Sequence, residues 1–387
     1  MVVAGEASGD LHAAKLVNAL RESLPPDSVS FFGSAGERMR EAGVEAVIRA
    51  DGLSIVGLPE IARALPMFVR AFRSLSRAAM ERQPDVVILV DFPDFNLKMA
   101  RTLSRRGFRI VYYISPQLWA WRRYRLRTIR KYVDLVISIL PFEKGWYEAH
   151  GLKNVEYVGS PLAREVFPSE DKSAFTSRNQ LDPTKPIISL LPGSRHKEIV
   201  KILPVMLEAA VAMLRSDTNL QFVIATGSEK NRADANAVLG SMAHLDSALK
   251  GRLLVVQGET FNAVSASDAT AVASGTATLE TGILGTPMAI VYKTSTLNYK
   301  LLRPLINVEH FGLINLIAGD RVATELIQDD LTPETLANEL LRLLEPSENK
   351  RVREKLRAAA DKLGHGGASA RAASLILAII ERDNELK

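Results

Sequence analysis

The chain has 387 residues, of which 47% are hydrophobic and 24% are charged. This length and composition are typical of a folded protein of about two domains, and they exclude a disordered or fibrous chain. The lack of cysteine excludes disulfides, thiolate metal sites and a cysteine nucleophile. The formal charge of +5 is too small for a general polyanion binder if it is spread evenly.

The positive charge is concentrated in one part of the chain. Between Phe95 and Val133 there are eleven Lys and Arg and no Asp or Glu. Removing these eleven from the 49 basic residues leaves 38 against 44 acidic ones, a net charge of −6 elsewhere. Any function proposed for the protein has to explain this basic segment, residues 95–133.

The sequence predicts neither a secretion signal nor a membrane span. The N-terminus has no basic region ahead of an apolar stretch, and Met1 soon runs into a glycine turn. Apolar runs such as Val86–Val90 are far below the ~18 residues that a spanning helix needs. We therefore expect a cytoplasmic protein whose membrane contacts, if any, are peripheral.

Short apolar, β-branched runs alternate with helical patterns along the whole chain. In the first half the predicted strands are Met1–Ala4, Ser30–Gly33, Val86–Asp91, Arg109–Ile114, Asp134–Leu140 and Val155–Val158. In the second half they are Ile187–Leu191, Gln221–Ala225, Arg252–Val256, Ala269–Ala273 and Met288–Tyr292. Apolar residues at helical spacing lie between them, for example at Gly9–Leu24, Ile199–Ser216 and Thr276–Leu284.

This alternation predicts an α/β fold with two Rossmann-like, doubly wound domains that face each other across a cleft. A single eight-stranded barrel is the alternative, and the irregular, linker-like stretch Pro161–Pro186 argues against it. We predict an N-terminal domain at residues 1–163 and a C-terminal domain at residues 164–367. The last residues, 368–387, are expected to form a helix that crosses back to the first domain, by analogy with related folds.

Two loops in the first half are candidates, the first for ligand binding and the second for acid–base chemistry. The glycines of Ala4–Asp10 let the backbone approach a ligand, although a plain turn capped by Ser8 or Asp10 also explains this loop. Asp91 follows a predicted strand, at the carboxyl end where open α/β sheets bind their ligands. A carboxylate there can act as a general base, whereas Asp94 is better placed to cap the next helix.

Two loops in the second half are candidates for phosphate binding. The first follows Ile187–Leu191 and combines a glycine turn with an arginine, although a surface turn explains it equally well. The second precedes a helix whose N-terminus can receive a pyrophosphate and whose Glu280 can bind two sugar hydroxyls. Close packing of that helix on the sheet is compatible with this interpretation. The candidate residues are Gly193, Ser194, Arg195, Ser274, Gly275, Thr276 and Glu280.

Aromatic residues accompany the basic ones at Trp119–Arg127, a composition that suits nucleic acid or an anionic membrane surface. A solvated helix face is the plainer alternative. The segment Gly57–Arg77 mixes apolar residues with four arginines, as interfacial amphipathic helices do, and this favours the membrane. The candidate membrane- or acceptor-facing residues are Met67, Phe68, Asp94, Asn96, Trp119, Trp121, Arg122, Arg123 and Arg125. The six histidines are scattered and no H-E-x-x-H occurs, so no metal site is predicted.

Six motifs in order resemble those of the lipid-A-disaccharide synthases, a family of inverting glycosyltransferases of the two-Rossmann-domain (GT-B) type. The resemblance extends from Val3 to about Ala368. The motifs are Ala4–Asp10, Asp91–Asn96, Ser115–Arg122, Leu140–Glu143, Leu191–Arg195 and Ser274–Glu280.

The resemblance implies a hexosyltransferase that condenses UDP-2,3-diacylglucosamine with 2,3-diacylglucosamine 1-phosphate to give lipid A disaccharide 1-phosphate and UDP. It implies no cofactor and no metal, peripheral contact with the cytoplasmic membrane, and no nucleic acid partner. The first domain would bind the acceptor and face the membrane, and the second would bind the UDP-sugar.

The resemblance also gives roles to individual residues. Asp91 matches the base for the acceptor hydroxyl, Glu6 an essential acid, and Arg195 the arginine on the donor diphosphate. Glu280 and Asn315 match polar residues on the nucleotide side. The sequence departs from the family pattern twice: Ser160 stands where His is usual, and Ile314 stands where Pro is usual.

Two other functions are compatible with parts of the sequence. One is a different UDP-sugar enzyme of the same fold, either an epimerase or a transferase to another lipid. The other is a non-catalytic binder of anionic lipid or nucleic acid built on the basic segment. The carboxylates Asp91 and Glu6 argue against a binder, because a polyanion site has no use for them.

Overall fold

The computed structural model describes residues 1–26, 28–50, 58–294, 309–364 and 366–385. The chain forms two compact units: Met1–Pro161 together with His365–Lys387, and Leu162–Gly364. Gly57, the first residue of the predicted amphipathic segment, lies outside the described residues. None of the described helices is long and apolar enough to cross a membrane.

The first unit contains a seven-stranded parallel sheet of order β3-β2-β1-β4-β5-β6-β7. Its strands are β1 Val2–Val3, β2 Phe32–Ala35, β3 Glu45–Arg49, β4 Val87–Val90, β5 Ile110–Tyr113, β6 Leu135–Ser138 and β7 Val155–Tyr157. The chain builds outward from β1 to β3 and then returns to β4 on the other side of β1. The strand order therefore reverses between β1 and β4, where doubly wound sheets bind their ligands.

Helices cover both faces of this sheet. They are α1 Ala7–Glu22, α2 Glu37–Glu41, α3 Leu58–Arg82, α4 Pro93–Ser104, α5 Leu126–Tyr132, α6 Pro141–Ala149 and the C-terminal helix Ala368–Glu385, with a 3₁₀ turn at Arg123–Arg125. On one face α3, α4 and α5 bury residues such as Leu75, Met99 and Ile129. On the other face α1 and the C-terminal helix bury residues such as Leu16 and Ile376.

The second unit contains a six-stranded parallel sheet of order β10-β9-β8-β11-β12-β13, which reverses between β8 and β11. Its strands are β8 Ile187–Leu191, β9 Gln221–Thr226, β10 Leu253–Gln257, β11 Ala269–Ala273, β12 Met288–Tyr292 and β13 Thr324–Ile327. Its helices are α7 Leu162–Glu165, α8 Lys172–Arg178, α9 His196–Ser216, α10 Glu229–Ser241, α11 Asp246–Leu249, α12 Thr260–Ala266, α13 Thr276–Ile283, α14 Leu313–Ala318, α15 Pro333–Leu344 and α16 Pro346–Asp361, with 3₁₀ turns at Ala243–Leu245 and Gln328–Asp330.

The predicted α/β class with two doubly wound parallel sheets is confirmed. Two edge strands, β3 and β13, were not predicted because neither is a continuous apolar run: β3 is half-exposed, and β13 contains the buried Glu325. The stretch 161–186, interpreted as linker-like, carries the short helices α7 and α8. The second strand begins two residues later than predicted, at Phe32, and is buried along its whole length to Ala35.

Candidate functional site

The loops after β1 and β4 lie side by side in the first unit. The two strands pair in parallel, with Val2 opposite Ile88 and Val3 opposite Leu89. A Cβ on Gly5 would lie 2.3 Å from the Phe92 ring, so only glycine lets that ring pack here. A Cβ on Gly9 would lie 4.0 Å from the Cβ of Asp91. The loop Ala4–Asp10 and Asp91 therefore lie next to each other.

An unusual backbone turn carries Asp91. Both Asp91 and Phe92 have left-handed backbone conformations, with φ angles of 47° and 50°, which few non-glycine residues adopt. The Asn96 amide donates to the carbonyls of Val90 at 3.1 Å and of Asp91 at 2.8 Å. The Tyr112 hydroxyl donates to the Asp91 carbonyl at 2.7 Å. Asn96 and Tyr112 are fully buried, so they hold the turn from inside the fold.

The environment of Asp91 suits a group that exchanges protons near neutral pH. Burial raises the pKa of Asp91 to about 6, the negative charge of Glu6 adds to this effect, and the Phe92 N–H opposes it. Glu6 is exposed at the N-terminus of α1. Perturbed carboxyl groups at a strand end are characteristic of catalytic sites.

Asp10 and Asp94 differ from their predicted capping roles. Asp10 is buried in α1, and its carboxylate accepts the Gly36 and Arg38 N–H groups at 2.7 and 2.9 Å. It therefore caps α2 rather than α1. Asp94 lies in the first turn of α4, whose N-cap is Phe92, and its carboxylate binds Arg122 at 3.0 Å and also Arg125.

Two predicted surface residues are buried, so their direct contact with acceptor or membrane is not supported. Asn96 supports the Asp91 turn instead. Trp119 is 6% exposed, and its indole N–H donates to Glu143 at 3.1 Å. The Tyr147 hydroxyl donates to the Pro116 carbonyl at 3.1 Å, so helix α6 anchors the segment that contains Trp119 at two points.

Glu143 is a supporting residue to which the sequence analysis gave no role. It is fully buried, and burial raises its pKa to about 7, although hydrogen bonds from Trp119 and the Leu140 N–H oppose the shift. The bond to Trp119 explains why the motifs Ser115–Arg122 and Leu140–Glu143 occur together. They are two sides of one packed structure.

In the segment Trp119–Arg127, the exposed side chains differ in part from those predicted. Trp121 and Tyr124 are 44% and 67% exposed, and the Arg122 guanidinium stacks 4.1 Å from the Trp121 ring. Arg123 is also exposed.

The predicted apolar pair on α3 is not the one that faces outward. Met67 and Phe68 are half-buried, and the Phe68 ring packs against Phe92 at 6.2 Å between centroids. Their neighbours Leu65 and Val69 are 58% and 41% exposed.

In the second unit, the loop after β8 is bound to a carboxylate from its own chain. Glu198 accepts the N–H groups of Ser194 at 3.2 Å and of Arg195 at 3.3 Å. The Arg195 guanidinium donates to the same carboxylate at 3.1 Å. Gly193 has a φ of 114°, and a Cβ on it would lie 2.6 Å from a Glu198 oxygen. Backbone N–H groups and a guanidinium that converge in this way form an anion-binding arrangement.

The N-terminus of α13, after β11, is open with respect to the described residues. Its cap residue Gly275 has no side chain, and a Cβ there would meet no described atom within 4 Å. The Ser274 hydroxyl donates to the Phe311 carbonyl at 2.9 Å. The Leu313 N–H donates to the Thr278 hydroxyl at 3.1 Å. A loop that the sequence analysis did not single out, Phe311–Leu313, is thereby fixed beside the predicted pyrophosphate position at Thr276.

Asn315 is fully buried, and its amide is engaged within the fold. Its oxygen accepts the N–H groups of Val322 and Ala323, and its nitrogen donates to the Ala323 carbonyl and to Glu325. Glu325 also accepts the Gly312 N–H at 2.9 Å. Direct contact of Asn315 with a nucleotide is therefore not supported, and the residue instead orders the neighbouring loop.

Glu280 lies at a cavity of about 380 Å³ in the second unit. The other lining residues are Phe167, Ser169, Gly227, Gly258, Glu259, Thr260, Phe261 and Asn262. Burial raises the pKa of Glu280. Except for Glu280, the sequence analysis missed this cavity. Gly227 and Gly258, each directly after a strand, were the available signal.

The model of the family described as lipid-A-disaccharide synthetase matches residues 1–380. The chain belongs to this family. The synthase of Geobacter sulfurreducens is 40% identical over 382 residues, with 98% of this chain and 97% of the relative covered. The synthase of Syntrophus aciditrophicus is 40% identical over 385 residues, covering 99% and 98%.

Solved structures with low sequence identity share the fold. A putative UDP-N-acetylglucosamine 2-epimerase from Listeria monocytogenes has a TM-score of 0.66 and 18% identity, covering 100% of this chain and 96% of its own. The UDP-GlcNAc 2-epimerase from Neisseria meningitidis, bound to UDP-GlcNAc, has a TM-score of 0.65 and 14% identity, covering 97% and 98%. At such identities the likeness shows the fold alone. Family membership confirms the prediction of a glycosyltransferase of lipid A biosynthesis.

Replacing Asn96 with Asp tests the support of the Asp91 turn. The change keeps the shape of the side chain but sets an acceptor against backbone carbonyls, so we expect a loss of about 1–3 kcal/mol of unfolding free energy. Urea unfolding measures it. Asn18→Asp, the same change at an exposed position of α1, is the control. Equal unfolding midpoints for the two variants would contradict the assigned role.

Proposed function

We propose that the protein transfers the sugar of UDP-2,3-diacylglucosamine to the 6-hydroxyl of 2,3-diacylglucosamine 1-phosphate. The products are a β-1,6-linked tetraacyl disaccharide 1-phosphate and UDP. The observation that carries this proposal is the carboxyl group of Asp91. It is mostly buried and lies at the strand-order reversal of the first sheet, and burial raises its pKa to about 6. Full-length membership of the lipid-A-disaccharide synthase family supplies the substrate class.

Asp91 is the proposed base. Its carboxylate takes the proton of the acceptor hydroxyl while the oxygen attacks the anomeric carbon from the side opposite UDP. The bond between that carbon and the diphosphate oxygen breaks, and its electrons leave with UDP. Glu6 is exposed and raises the pKa of Asp91, so it acts on the base rather than as the base.

The second unit is the proposed donor-binding unit. Negative charge that develops on the diphosphate is stabilised by Arg195 and by the open N-terminus of α13 at Thr276. The carboxylate of Glu280 binds the ribose hydroxyls at the cavity that it lines.

A membrane-facing surface on the first unit is proposed to give access to the acylated substrates. Helices α3, α4 and α5 pack in sequence over one face of the sheet. Exposed Leu65 and Val69 on α3 belong to the same layer as the exposed cations of α4 and α5. Apolar side chains beside cations are what an anionic bilayer surface attracts.

The reaction itself is tested with the two synthetic diacyl substrates. We expect UDP and tetraacyl disaccharide 1-phosphate in equal amounts, by UDP assay and mass spectrometry, with and without a chelator. UDP release without disaccharide would instead support a different UDP-sugar enzyme. Salt-sensitive RNA binding with no UDP release would support a non-catalytic binder.

Asp91→Asn tests the base. Asn keeps the size of the side chain and tolerates the left-handed backbone, so the fold should persist. We expect kcat to fall by about 10²–10⁴, the usual contribution of a general base. Glu6→Gln should lower kcat less than Asp91→Asn, because Glu6 acts on Asp91 and not on the substrate. Near-wild-type kcat for the Asn variant would remove Asp91 from the mechanism.

The pH profile tests the coupling between Glu6 and Asp91. The base works only when ionised, so kcat/KM should fall as the pH drops through about 6. Glu6→Gln removes a charge that raises the Asp91 pKa, so the acidic limb should move to lower pH. Glu22→Gln, at the far end of α1, is the control and should leave the limb unchanged. A shift to higher pH in the Glu6 variant would contradict the coupling.

Vesicle sedimentation tests the membrane-facing surface. Leu65→Ser with Val69→Ser should weaken binding to phosphatidylethanolamine–phosphatidylglycerol vesicles about tenfold, because apolar area no longer enters the bilayer. Leu11→Ser is the matched control: Leu11 is 37% exposed on α1, which covers the other face of the sheet.

Charge is tested separately with the exposed arginines Arg123 and Arg127. Their double change to Gln should weaken binding only when phosphatidylglycerol is present, and added salt should reduce the difference. UDP binding should be unchanged. Vesicle binding that equals the wild type in both double variants would place the membrane contact elsewhere.

A further inference from the structure

The backbone donors of the proposed diphosphate site are already in use. One carboxylate, that of Glu198, accepts the Ser194 N–H, the Arg195 N–H and a guanidinium N–H of Arg195, at 3.2, 3.3 and 3.1 Å. The Glu198 side chain is only 16% exposed, whereas that of Arg195 is 72% exposed. The carboxylate thus lies beneath a cation that is open to solvent.

Helix capping accounts for part of this arrangement. Glu198 is the third residue of α9, where a glutamate commonly accepts N–H groups that the helix leaves unpaired. Capping does not require the arginine, nor a glycine with a φ of 114° pressed against the carboxylate. The Arg195 guanidinium is proposed above to stabilise the donor diphosphate, and the two backbone N–H groups and Gly193 belong to the same candidate phosphate-binding loop.

We propose that Glu198 is an internal competitor of the diphosphate and thereby sets the affinity for UDP and the rate of its release. This inference rests on the proposed donor site. Two anions cannot accept the same N–H groups, so the diphosphate has to displace the Glu198 carboxylate from them. The displaced carboxylate remains close to the bound diphosphate and repels it.

The competition weakens binding in a defined way. While Glu198 holds the donors, only a fraction of the protein can bind the diphosphate, and the apparent affinity falls by that fraction. After transfer, the return of Glu198 to the donors favours departure of UDP. Such a residue lowers the affinity for UDP and thereby raises kcat where product release is rate-limiting, as it is in many enzymes.

Glu198→Gln tests the proposal, because Gln also serves in the capping box but carries no charge. By calorimetry we expect the variant to bind UDP about tenfold more tightly than the wild type does. We expect it to bind inorganic pyrophosphate more tightly as well. Stopped-flow displacement should show slower UDP dissociation. UDP should also become a stronger product inhibitor.

Glu229→Gln is the matched control. Glu229 lies in the first turn of α10 in the same unit, is 66% exposed and pairs with Arg232, so this variant loses the same charge elsewhere. Its UDP affinity should equal that of the wild type. An equal increase in UDP affinity in both variants would mean that the loss of one negative charge, and not its position, causes the increase. That result would overturn the proposal.

Unchanged or weaker UDP binding by the Glu198 variant would also overturn it, since Glu198 would then only cap the helix or orient Arg195. This failure is distinct from failure of the proposed reaction. Disaccharide formation without tighter UDP binding by the variant would reject the competitor alone. Tighter UDP binding without disaccharide formation by the wild type would reject the reaction alone.

Discussion

The chemistry of the first unit depends on one constraint, the two consecutive left-handed residues Asp91 and Phe92. Such a turn is costly, and buried hydrogen bonds from Asn96 and Tyr112 to its carbonyls hold it in place. The missing side chain of Gly5 makes room for the Phe92 ring. The turn places the Asp91 carboxyl group at the strand-order reversal, where burial raises its pKa to about 6.

The second unit uses the same topology for a different kind of chemistry. Its sheet also reverses between two adjacent strands, and the loops after β8 and β11 offer N–H groups where the first unit offers carboxylates. One set of donors is held by Glu198, and among the described residues nothing closes off the other, at the start of α13. The two units thus divide the proposed work: proton removal in one, charge stabilisation on the leaving group in the other.

The sequence allowed the fold class and the main loops to be predicted, because buried parallel strands are continuous apolar runs and ligand loops follow them. It could not separate residues that touch a ligand from those that support them. Asn96 and Trp119 lie within family motifs and Asn315 matches a polar residue of the family, yet all three are buried and hydrogen-bonded within the fold. A residue's place in a motif does not say whether its side chain contacts a ligand or supports one that does. The burial of the side chain in the structure distinguishes the two.

Long-range pairings account for the other differences. Glu325 sits inside a strand because backbone N–H groups of a distant loop bind its carboxylate, and no local pattern reveals those partners. Asp10 looked like a cap for its own helix but caps α2, whose N–H groups come from 26 and 28 residues further along the chain. Pairings between residues so far apart in the sequence become visible only in the folded structure.

The most direct test is an NMR titration of the Asp91 carboxyl group in the ligand-free protein, with ¹³C-labelled aspartate and Asp91→Asn to assign the signal. We predict a titration near pH 6, well above the ordinary value of 3.8. A titration at or below the ordinary value would mean that the turn does not hold a proton-exchanging carboxyl group. It would contradict the assignment of Asp91 as the base.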